Sequence, residues 1–536
     1  MASSLSASFL CTHSLQSPTL KPPSKPHCFA RLRLPVPSKA SSRNNNVNTD
    51  SAESPSLQPS SPKPPSDSPS SLLRRFRNGW LKFDELGMEI VLIALPAALA
   101  LAADPIASLI DTAFVGHIGA VELAAVGVSA SVFNLVSKAF NVPLLNITTS
   151  FVAEEQALMR KEEEFSPSDE NGKYQSKKLL PSVSTSLALA ATLGIAETVA
   201  LTLGSGILMN IMGIPADSPM RGPAEQFLTL RAFGAPAIVL ALAAQGTFRG
   251  FLDTKTPLYA VGAGNFLNAV LDPILIFFLG LGVSGAAVAT VISEYLIAFI
   301  LLWKLSGEVL LVPSEFDGRK IFSYLKSGGL LTARTLAVFI TITLSTSVAA
   351  KQGPVAMAGH QICMQVWLSI SLITDALALA GQALLASCYS LRDYERARLI
   401  IYRVIQIGLG LGITLSFTLF FGFGAFSGLF STDSEVLDVA QSGILFVAGS
   451  QPVNALAFVI DGIYYGVSDF GYAAYSMVLV GLVSSTFLLV AAPAGLPGVW
   501  TGLFIFMALR VLAGVWRLSS KTGPWDTIWY TDEAED

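Results

Sequence analysis

Long apolar segments, separated by short polar ones, fill most of the chain. Each runs without interruption for about 20 residues or more, the length that an α-helix needs to cross the hydrocarbon core of a bilayer. The pattern predicts an all-α membrane protein with twelve transmembrane helices. The predicted spans cover residues 88–115, 121–152, 179–212, 226–248, 257–280, 283–305, 327–350, 354–388, 399–428, 437–466, 470–492 and 495–517.

The distribution of basic residues supports an even number of spans. Lys and Arg precede the first span and follow the second, fourth, sixth, eighth and twelfth spans, with Arg249 and Lys255 after the fourth. The loops on the other side contain only Arg221, Arg231 and Lys351. Because positive charge in short loops fixes the orientation of membrane proteins, this asymmetry places both ends of the chain on one side of the membrane.

The two halves of the apolar region resemble each other. GTFRGFLD at residues 246–253 matches GIYYGVSD at 462–469, and GVSGAAVAT at 282–290 matches GLPGVWTGL at 495–503, with offsets of 213 to 216 residues. A duplicated unit of six helices keeps its orientation, so the halves are parallel repeats. We predict two pseudo-symmetric six-helix lobes around a central cavity, residues 85–305 and 327–517, joined by a hydrophilic loop at residues 306–326.

Composition narrows the function classes. Of the 536 residues, 52% are hydrophobic and 13% are charged, and the mean hydropathy is +0.56; soluble domains carry about 25% charged residues. A formal net charge of −4 gives no reason to expect a nucleic-acid partner. The four cysteines form no disulfide or zinc pattern, and the sequence contains no Walker, G-x-S-x-G or H-E-x-x-H motif. GLGVSG at residues 280–285 fits the dinucleotide pattern G-x-G-x-x-G, but it lies between two spans without a strand–turn–helix unit. We therefore expect no enzyme activity, cofactor or metal.

The first 70 residues differ from the rest of the chain. They are rich in Ser and Pro, carry scattered Lys and Arg, and contain no acidic residue before Asp50. This composition is typical of an organelle transit peptide, and the missing apolar segment argues against a secretory signal; a disordered cytosolic tail is the alternative. We predict a chloroplast transit peptide and disordered leader at residues 1–70, a multi-pass location in the chloroplast envelope membrane, and a polar tail at residues 518–536.

Two long strings and the lobe repeat resemble the multidrug and toxic compound extrusion (MATE) family. The strings are LPAALALAADPIASLIDTAFVGHIGAVELAAVG in the first span and FRGFLDTKTPLYAVGAGNFLNAVLDPILIF across the fourth and fifth. The resemblance covers residues 85–517. Within the family, the chain is similar to the DinF-like branch, which includes plant citrate exporters and plastid-targeted DETOXIFICATION proteins.

The resemblance implies a proton-responsive site in the N-lobe. The matching positions are Asp111, Asn268, Asp272 and Thr290. Other branches rely on acidic residues in the seventh and tenth spans. Here the seventh span, LTARTLAVFITITLSTSVAA, has none, and Asn454 stands at the position where those branches keep Asp in the tenth. The resemblance therefore favours coupling in the N-lobe.

Physical chemistry points to the same residues. A carboxylate in the middle of a membrane costs about 2.5–3.5 kcal/mol, so it must be paired, hydrated or protonated. Asp104 and Asp111 are seven residues apart and share a helix face, as do Asn268 and Asp272, four apart. We expect an acidic N-lobe interior, short of basic partners, that loads and releases protons; a structural polar network is the alternative. Asp104, Glu197 and Glu294 are secondary candidates.

The C-lobe carries buried positive charge instead. Arg334 and Arg510 lie in its seventh and twelfth spans, and Asp375 and Asp461 lie in others. Either arginine is a candidate for contact with an anionic substrate, with Asn454 as a further substrate-binding candidate. A salt bridge to Asp375 or Asp461, or an orientation towards the interface, is the alternative.

Together these features predict a secondary active antiporter. We expect it to export a small organic solute, an organic anion such as citrate or a secondary metabolite, across a plastid envelope membrane in exchange for protons. Na⁺ stays open as the coupling ion, because the sequence does not distinguish it from H⁺. The alternative is a lipid-linked or hormone-precursor flippase or exporter on the same fold, without proton coupling. We expect a monomer surrounded by membrane lipids.

Overall fold

The computed structural model describes residues 84–165, 180–212, 214–311, 318–427, 434–520 and 522–529. The long regular elements of these residues are all helical. The first half contains α1 (Glu85–Gly116), α2 (Ala120–Phe165), α3 (Pro181–Ile211), α4 (Arg221–Ala232), α5 (Ala235–Gly250), α6 (Lys255–Pro273) and α7 (Val283–Glu308). The second half contains α8 (Gly318–Ala350), α9 (Pro354–Ser390), α10 (Tyr394–Ser427), α11 (Ser434–Ser442), α12 (Ile444–Gly449), α13 (Gln451–Gly466), α14 (Phe470–Ala491), α15 (Leu496–Ser519) and α16 (Pro524–Trp529).

These helices account for the twelve predicted spans. In the part of the chain that is described, ten helical segments are long and apolar enough to cross a membrane. The other two spans are bent pairs: α4 and α5 meet at 46°, and the α11–α12 segment meets α13 at 49°. The prediction of an all-α protein with twelve spans is confirmed.

A proline and a glycine on a neighbouring helix explain both bends. Pro236 and Pro452 lie in the first turns of α5 and α13, where a missing backbone N–H is tolerated but the preceding helix cannot continue. Each proline packs against a glycine, Gly194 in α3 or Gly412 in α10. A Cβ atom at these glycines would lie 2.5 Å from the Cα of Pro236 and 2.7 Å from the Cα of Pro452. The two lobes therefore use the same device to accommodate a broken span.

This packing makes a stability prediction for Gly412. We expect Gly412→Ala to lower the free energy of unfolding by about 1–3 kcal/mol, because the added methyl group overlaps the backbone of Pro452. Gly410→Ala is the matched control, since nothing lies within 4 Å of a Cβ atom at that position of the same helix. Thermal melting of the purified proteins in detergent measures the difference. Equal melting of the two variants would contradict this account of the bend.

Backbone conformation shows the internal repeat directly. Leu252 and Ser468 occupy equivalent positions of the two matching strings and both adopt the left-handed region, with φ of 63° and 56°. Gly282 and Gly495, equivalent in the second pair of strings, have φ of 55° and 75°. Left-handed conformations are rare for residues other than glycine. Their recurrence at the predicted offsets confirms the two pseudo-symmetric lobes.

Hydrogen bonds join the lobes at the end of the bundle where α1 begins and α15 ends. Ser150 in α2 donates from Oγ to the carbonyl oxygen of Tyr465 in α13, at 2.8 Å. Gln382 in α9 donates from Nε2 to Asn146 O at 2.8 Å and to Ser150 Oγ at 2.9 Å. The ring of Phe151 also packs edge-on against Tyr324. These contacts fix the C-terminal halves of α2 and α9 against each other.

Ion pairs reinforce the same end. Each joins an acid of α1, its N-cap or α2 to a base of α8 or α10: Glu89 to Arg396 at 3.2 Å, Glu155 to Lys320 at 2.7 Å, and Asp84 to Arg403. The predicted basic loops lie at this end. The lobes are thus held together on the side that carries the positive charge.

Several predicted loops contain helix. α7 extends to Glu308 and α8 begins at Gly318, so helix occupies both ends of the predicted linker at residues 306–326. The predicted polar tail contains α16, whose Trp525 is buried and donates from Nε1 to Asp469 at 3.0 Å. The leader predicted at residues 1–70 lies outside the described residues.

Two basic residues assigned to loops lie inside the bundle instead. Arg249 is only 4% exposed in the last turn of α5. Gly246 and Gly250 let that turn approach α2 closely, because a Cβ atom at either position would lie within 3 Å of Leu145 or Val152. Arg231 lies in the last turn of α4, just before the bend. Helical periodicity could not show this, because the bend reorients the span partway along its length.

Candidate functional site

Three of the four residues expected to respond to protons lie together between α1 and α6. Asn268 donates from Nδ2 to Oδ1 of Asp111 at 2.5 Å, and its distance to Oδ2 of Asp272 is 3.5 Å. Asn268 and Asp272 are buried, whereas Asp111 is partly accessible. The side-chain oxygens Oδ1 of Asn268 and Oδ1 of Asp272 have no hydrogen-bond partner among the described residues. The site therefore holds two carboxyl groups, one amide and two unused acceptors.

The helix is irregular directly after Asp272. Pro273 follows it directly and provides no backbone N–H. The helix then widens into a π-turn at Ile274–Phe278. Such turns within helices often accompany functional sites. Asp272 thus lies where the backbone of the fifth span changes its hydrogen-bonding pattern.

The two carboxyl groups interact directly with each other. Asp111 and Asp272 are within hydrogen-bonding reach of one another, and the amide of Asn268 is the donor between them. Two carboxylates in contact repel when both are ionised, and removal from water strengthens the repulsion. A pair of this kind favours a state in which it shares one proton.

Among the secondary candidates, Glu294 lies within electrostatic range of both Asp111 and Asp104. Glu294 in α7 pairs with Arg231 at 3.3 Å, and the Arg231 guanidinium lies 4.8 Å from the centre of the Phe133 ring. Asp104, two turns before Asp111 in α1, is exposed and accepts a long hydrogen bond of 3.4 Å from Asn265. These side chains add further charged groups beyond the central trio.

The interior has more basic partners than the sequence indicated. Asp104 interacts electrostatically with Lys138, Arg231 and Arg249. The expectation that the N-lobe is short of basic partners is wrong, because it treated Arg231 and Arg249 as loop residues and overlooked Lys138 within α2. One signal could have placed Arg249: its equivalent in the repeated string is Tyr465, an interior position.

Thr290 and Glu197 make no hydrogen bond with the trio among the described residues. The Thr290 hydroxyl donates to the carbonyl oxygen of Ala286 in its own helix, at 2.9 Å. Glu197 in α3 is 3% exposed and accepts from Ser137 at 3.1 Å and from Asn141 at 3.5 Å. Glu197 therefore belongs to a separate polar contact between α2 and α3. The coupling roles of Thr290 and Glu197 stay predictions.

The two C-lobe arginines share one carboxylate. Arg334 and Arg510 both donate to Oδ2 of Asp461. The Arg334 guanidinium also lies 5.4 Å from the centre of the Tyr465 ring. The salt-bridge alternative is thus present, and substrate contact through the remaining N–H groups stays a prediction. Asn454 is fully buried and donates from Nδ2 to Ser371 Oγ at 2.6 Å.

Comparisons with known proteins agree with this architecture. A family model named MatE matches residues 167–274 and 332–489. The chain is 67% identical over 450 residues to Protein DETOXIFICATION 44, chloroplastic, from Arabidopsis thaliana, covering 84% of this chain and 85% of that protein. It is 25% identical over 360 residues to DNA damage-inducible protein F from Escherichia coli (strain K12), covering 63% of this chain and 77% of that protein.

Solved structures share the fold. One, described as the outward-facing conformation of a multidrug resistance MATE family transporter of the MOP superfamily, superposes with a TM-score of 0.73 at 21% identity and covers 84% of this chain and 98% of that one. At this identity the structural likeness establishes the fold, and the relative at 67% identity along most of both chains establishes the family. The chain belongs to the MatE family of membrane transporters.

Proposed function

We propose that the protein is a secondary active antiporter that exports a small organic solute across a plastid envelope membrane in exchange for protons. The observation that carries the proposal is the contact of Asp111, Asn268 and Asp272 between α1 and α6. Two adjacent carboxyl groups at membrane depth provide a place to bind and release a proton within a low-dielectric environment.

Protonation would change the hydrogen bonds between the two helices. With both carboxyls ionised, Asn268 can only donate to them, and its Oδ1 is left without a partner. A proton on Asp272 provides an O–H donor within reach of Asp111 in α1, and it removes the repulsion between the two carboxylates. Proton binding thus tightens the contact of α1 with α6. Such a change can bias the lobe between two arrangements.

The proposed location and solute class have separate support. Two relatives in Arabidopsis thaliana, 67% and 50% identical, are described as chloroplastic. The basic, Ser-rich composition of residues 1–70 agrees with import into a plastid. For the solute, the positive charge of Arg334 and Arg510 in the C-lobe favours an organic anion such as citrate over a cation; a neutral or anionic secondary metabolite is the second choice.

Transport in proteoliposomes tests the proposal. Vesicles containing the purified protein and an acidic lumen should accumulate labelled citrate faster than vesicles without a pH gradient, because protons leaving the lumen drive solute entry. A protonophore should abolish the difference. A second arm replaces the pH gradient with an outward Na⁺ gradient, which identifies the coupling ion. Citrate flux that is equally fast with and without either gradient would favour the uncoupled exporter or flippase.

A further inference from the structure

Arg249 is a buried cation without a bonded partner. It lies in the last turn of α5, is 4% exposed, and forms no hydrogen bond or ion pair with any residue in the described ranges. Its Nη1 atom is buried and unpaired. An unpaired buried charge is costly, and buried charged side chains normally have partners. The position therefore calls for a ligand or a function.

Asp375 connects it electrostatically with further charged residues of the C-lobe. Arg249, Arg334, Arg510, Asp375 and Asp461 are called the arginine cluster below. Asp375 in α9 lies within electrostatic range of all three arginines. Arg334 and Arg510 bind Asp461, so three guanidinium groups face two carboxylates. With both carboxylates ionised, these five side chains have a formal excess of one positive charge, and Asp104 of the N-lobe also lies within electrostatic range of Arg249.

The cluster retains unused donors. Besides Nη1 of Arg249, the Nε atoms of Arg334 and Arg510 are buried without a hydrogen-bond partner in the described part of the chain. Asp375 makes no ion pair or hydrogen bond with the described residues either, although it is near each arginine. Three free N–H sites and net positive charge are the features that a carboxylate ligand satisfies, because guanidinium groups bind carboxylates through paired hydrogen bonds.

The cluster also lies where a bound molecule would contact both lobes. Arg249 belongs to α5 in the N-lobe, whereas Arg334 and Arg510 belong to α8 and α15 in the C-lobe. Tyr465 makes both contacts: its ring lies against the Arg334 guanidinium, and its carbonyl oxygen accepts the hydrogen bond from Ser150 of the N-lobe. A ligand at the cluster is thus adjacent to the contact that holds the lobes together.

We propose that Arg249, Arg334 and Arg510 form one anion-binding site, built by both lobes, that takes a carboxylate group of the transported solute. The inference rests on the proposed function and deepens it by assigning the solute's charged group to named residues. Asp375 occupies the same region and competes electrostatically with the anion. Removing an arginine and removing Asp375 therefore have opposite effects on affinity.

Equilibrium binding of labelled citrate to the purified full chain at neutral pH tests the site. Arg249→Gln should weaken binding by about tenfold or more, the loss expected for one charge-assisted hydrogen bond. Asp375→Asn should tighten binding by about threefold or more, because a competing negative charge is gone. Lys255→Gln is the matched control: it removes one positive charge from an exposed residue of the same lobe, and it should bind as the wild type does.

The two directions separate a ligand site from a structural role. A purely structural cluster would lose stability in both variants without tightening citrate binding in either. If Arg249→Gln does not yield folded protein on size-exclusion chromatography, citrate binding by the Arg249→Lys and Asp375→Asn proteins tests the proposal instead. Arg249→Gln protein that binds citrate as the wild type does, or Asp375→Asn protein that binds it no more tightly, overturns the proposal.

The result is also distinguishable from failure of the antiport mechanism. Gradient-driven uptake by the wild-type protein depends on no assumption about Arg249. If that uptake occurs while Arg249→Gln leaves citrate affinity unchanged, only the anion site is wrong. If citrate binding depends on Arg249 while the rate of citrate uptake does not change with the imposed gradients, the anion site is supported and the coupling mechanism is wrong.

Discussion

Asp461→Asn is expected to lower the free energy of unfolding by about 3–5 kcal/mol, the cost of leaving buried charges without their partner. The amide has nearly the same shape as the carboxylate but carries no charge. Arg334 and Arg510, which both bind Oδ2 of Asp461, would then lose their hydrogen-bonded carboxylate in the interior of the C-lobe and keep only the longer-range charge of Asp375. Thermal melting in detergent, together with the yield of monodisperse protein, measures the loss.

Two further variants separate charge balance from other effects. Asp461→Asn combined with Arg510→Met restores the original net charge of the cluster and should recover part of the lost stability. Asp438→Asn makes the same chemical change at an exposed position of α11 and should melt as the wild type does. If the Asp461→Asn protein melts at the same temperature as the Asp438→Asn control, the Asp461 carboxylate does not stabilise the two buried arginines.

Asp272→Asn is expected to reduce solute uptake driven by a pH gradient to the level of vesicles without protein. An amide cannot bind or release a proton, so the pair of Asp111 and Asp272 loses its exchangeable site. The side chain keeps its size and can still accept a hydrogen bond from Asn268. The loss should therefore appear in coupled uptake, while thermal melting changes much less than in the Asp461 variant.

Asp217→Asn is the matched control for this experiment. Asp217 is an exposed carboxylate of the same lobe, between α3 and α4, and its replacement should leave uptake unchanged. Asp272→Asn protein that melts normally and still shows uptake that responds to the gradient would remove Asp272 from the coupling mechanism. Asp111→Asn measured in parallel shows whether the second carboxyl is required as well.

The N-lobe site and the arginine cluster are linked by charge. Arg249 interacts electrostatically with Asp104 in the N-lobe and with Asp375 in the C-lobe. A change of charge on one of these aspartates therefore alters the environment of the same guanidinium. This shared partner offers a physical route by which proton binding in one lobe affects anion binding at the junction.

The architecture was largely predictable from the sequence, because the length of an apolar segment reports directly whether it can span a membrane. The twelve spans and the duplicated lobes follow from such segments and from the strings around Gly246 and Gly462. Element ends were less predictable. α8 begins at Gly318, well before the predicted span at residue 327, because polar residues continue the helix beyond its apolar part.

The candidate site was predictable only where residue type and spacing determine it. Asn268 and Asp272, four residues apart, had to share a helix face, and family resemblance added Asp111. The directions of Arg231 and Arg249 could not be read from periodicity, because a bend of 46° separates α4 from α5. Tertiary packing at Gly246 and Gly250, not local sequence, places Arg249 at the junction.

Proton movement driven by the solute is the most direct test of the central claim that carboxyl groups of the N-lobe exchange protons for solute. Proteoliposomes carry a pH-sensitive dye in the lumen, and citrate is added outside with no imposed pH gradient. The account predicts that citrate entry expels protons and makes the lumen more alkaline in wild-type vesicles, and that Asp272→Asn vesicles show no such change. Citrate entry by the wild-type protein without alkalinisation of the lumen would contradict it.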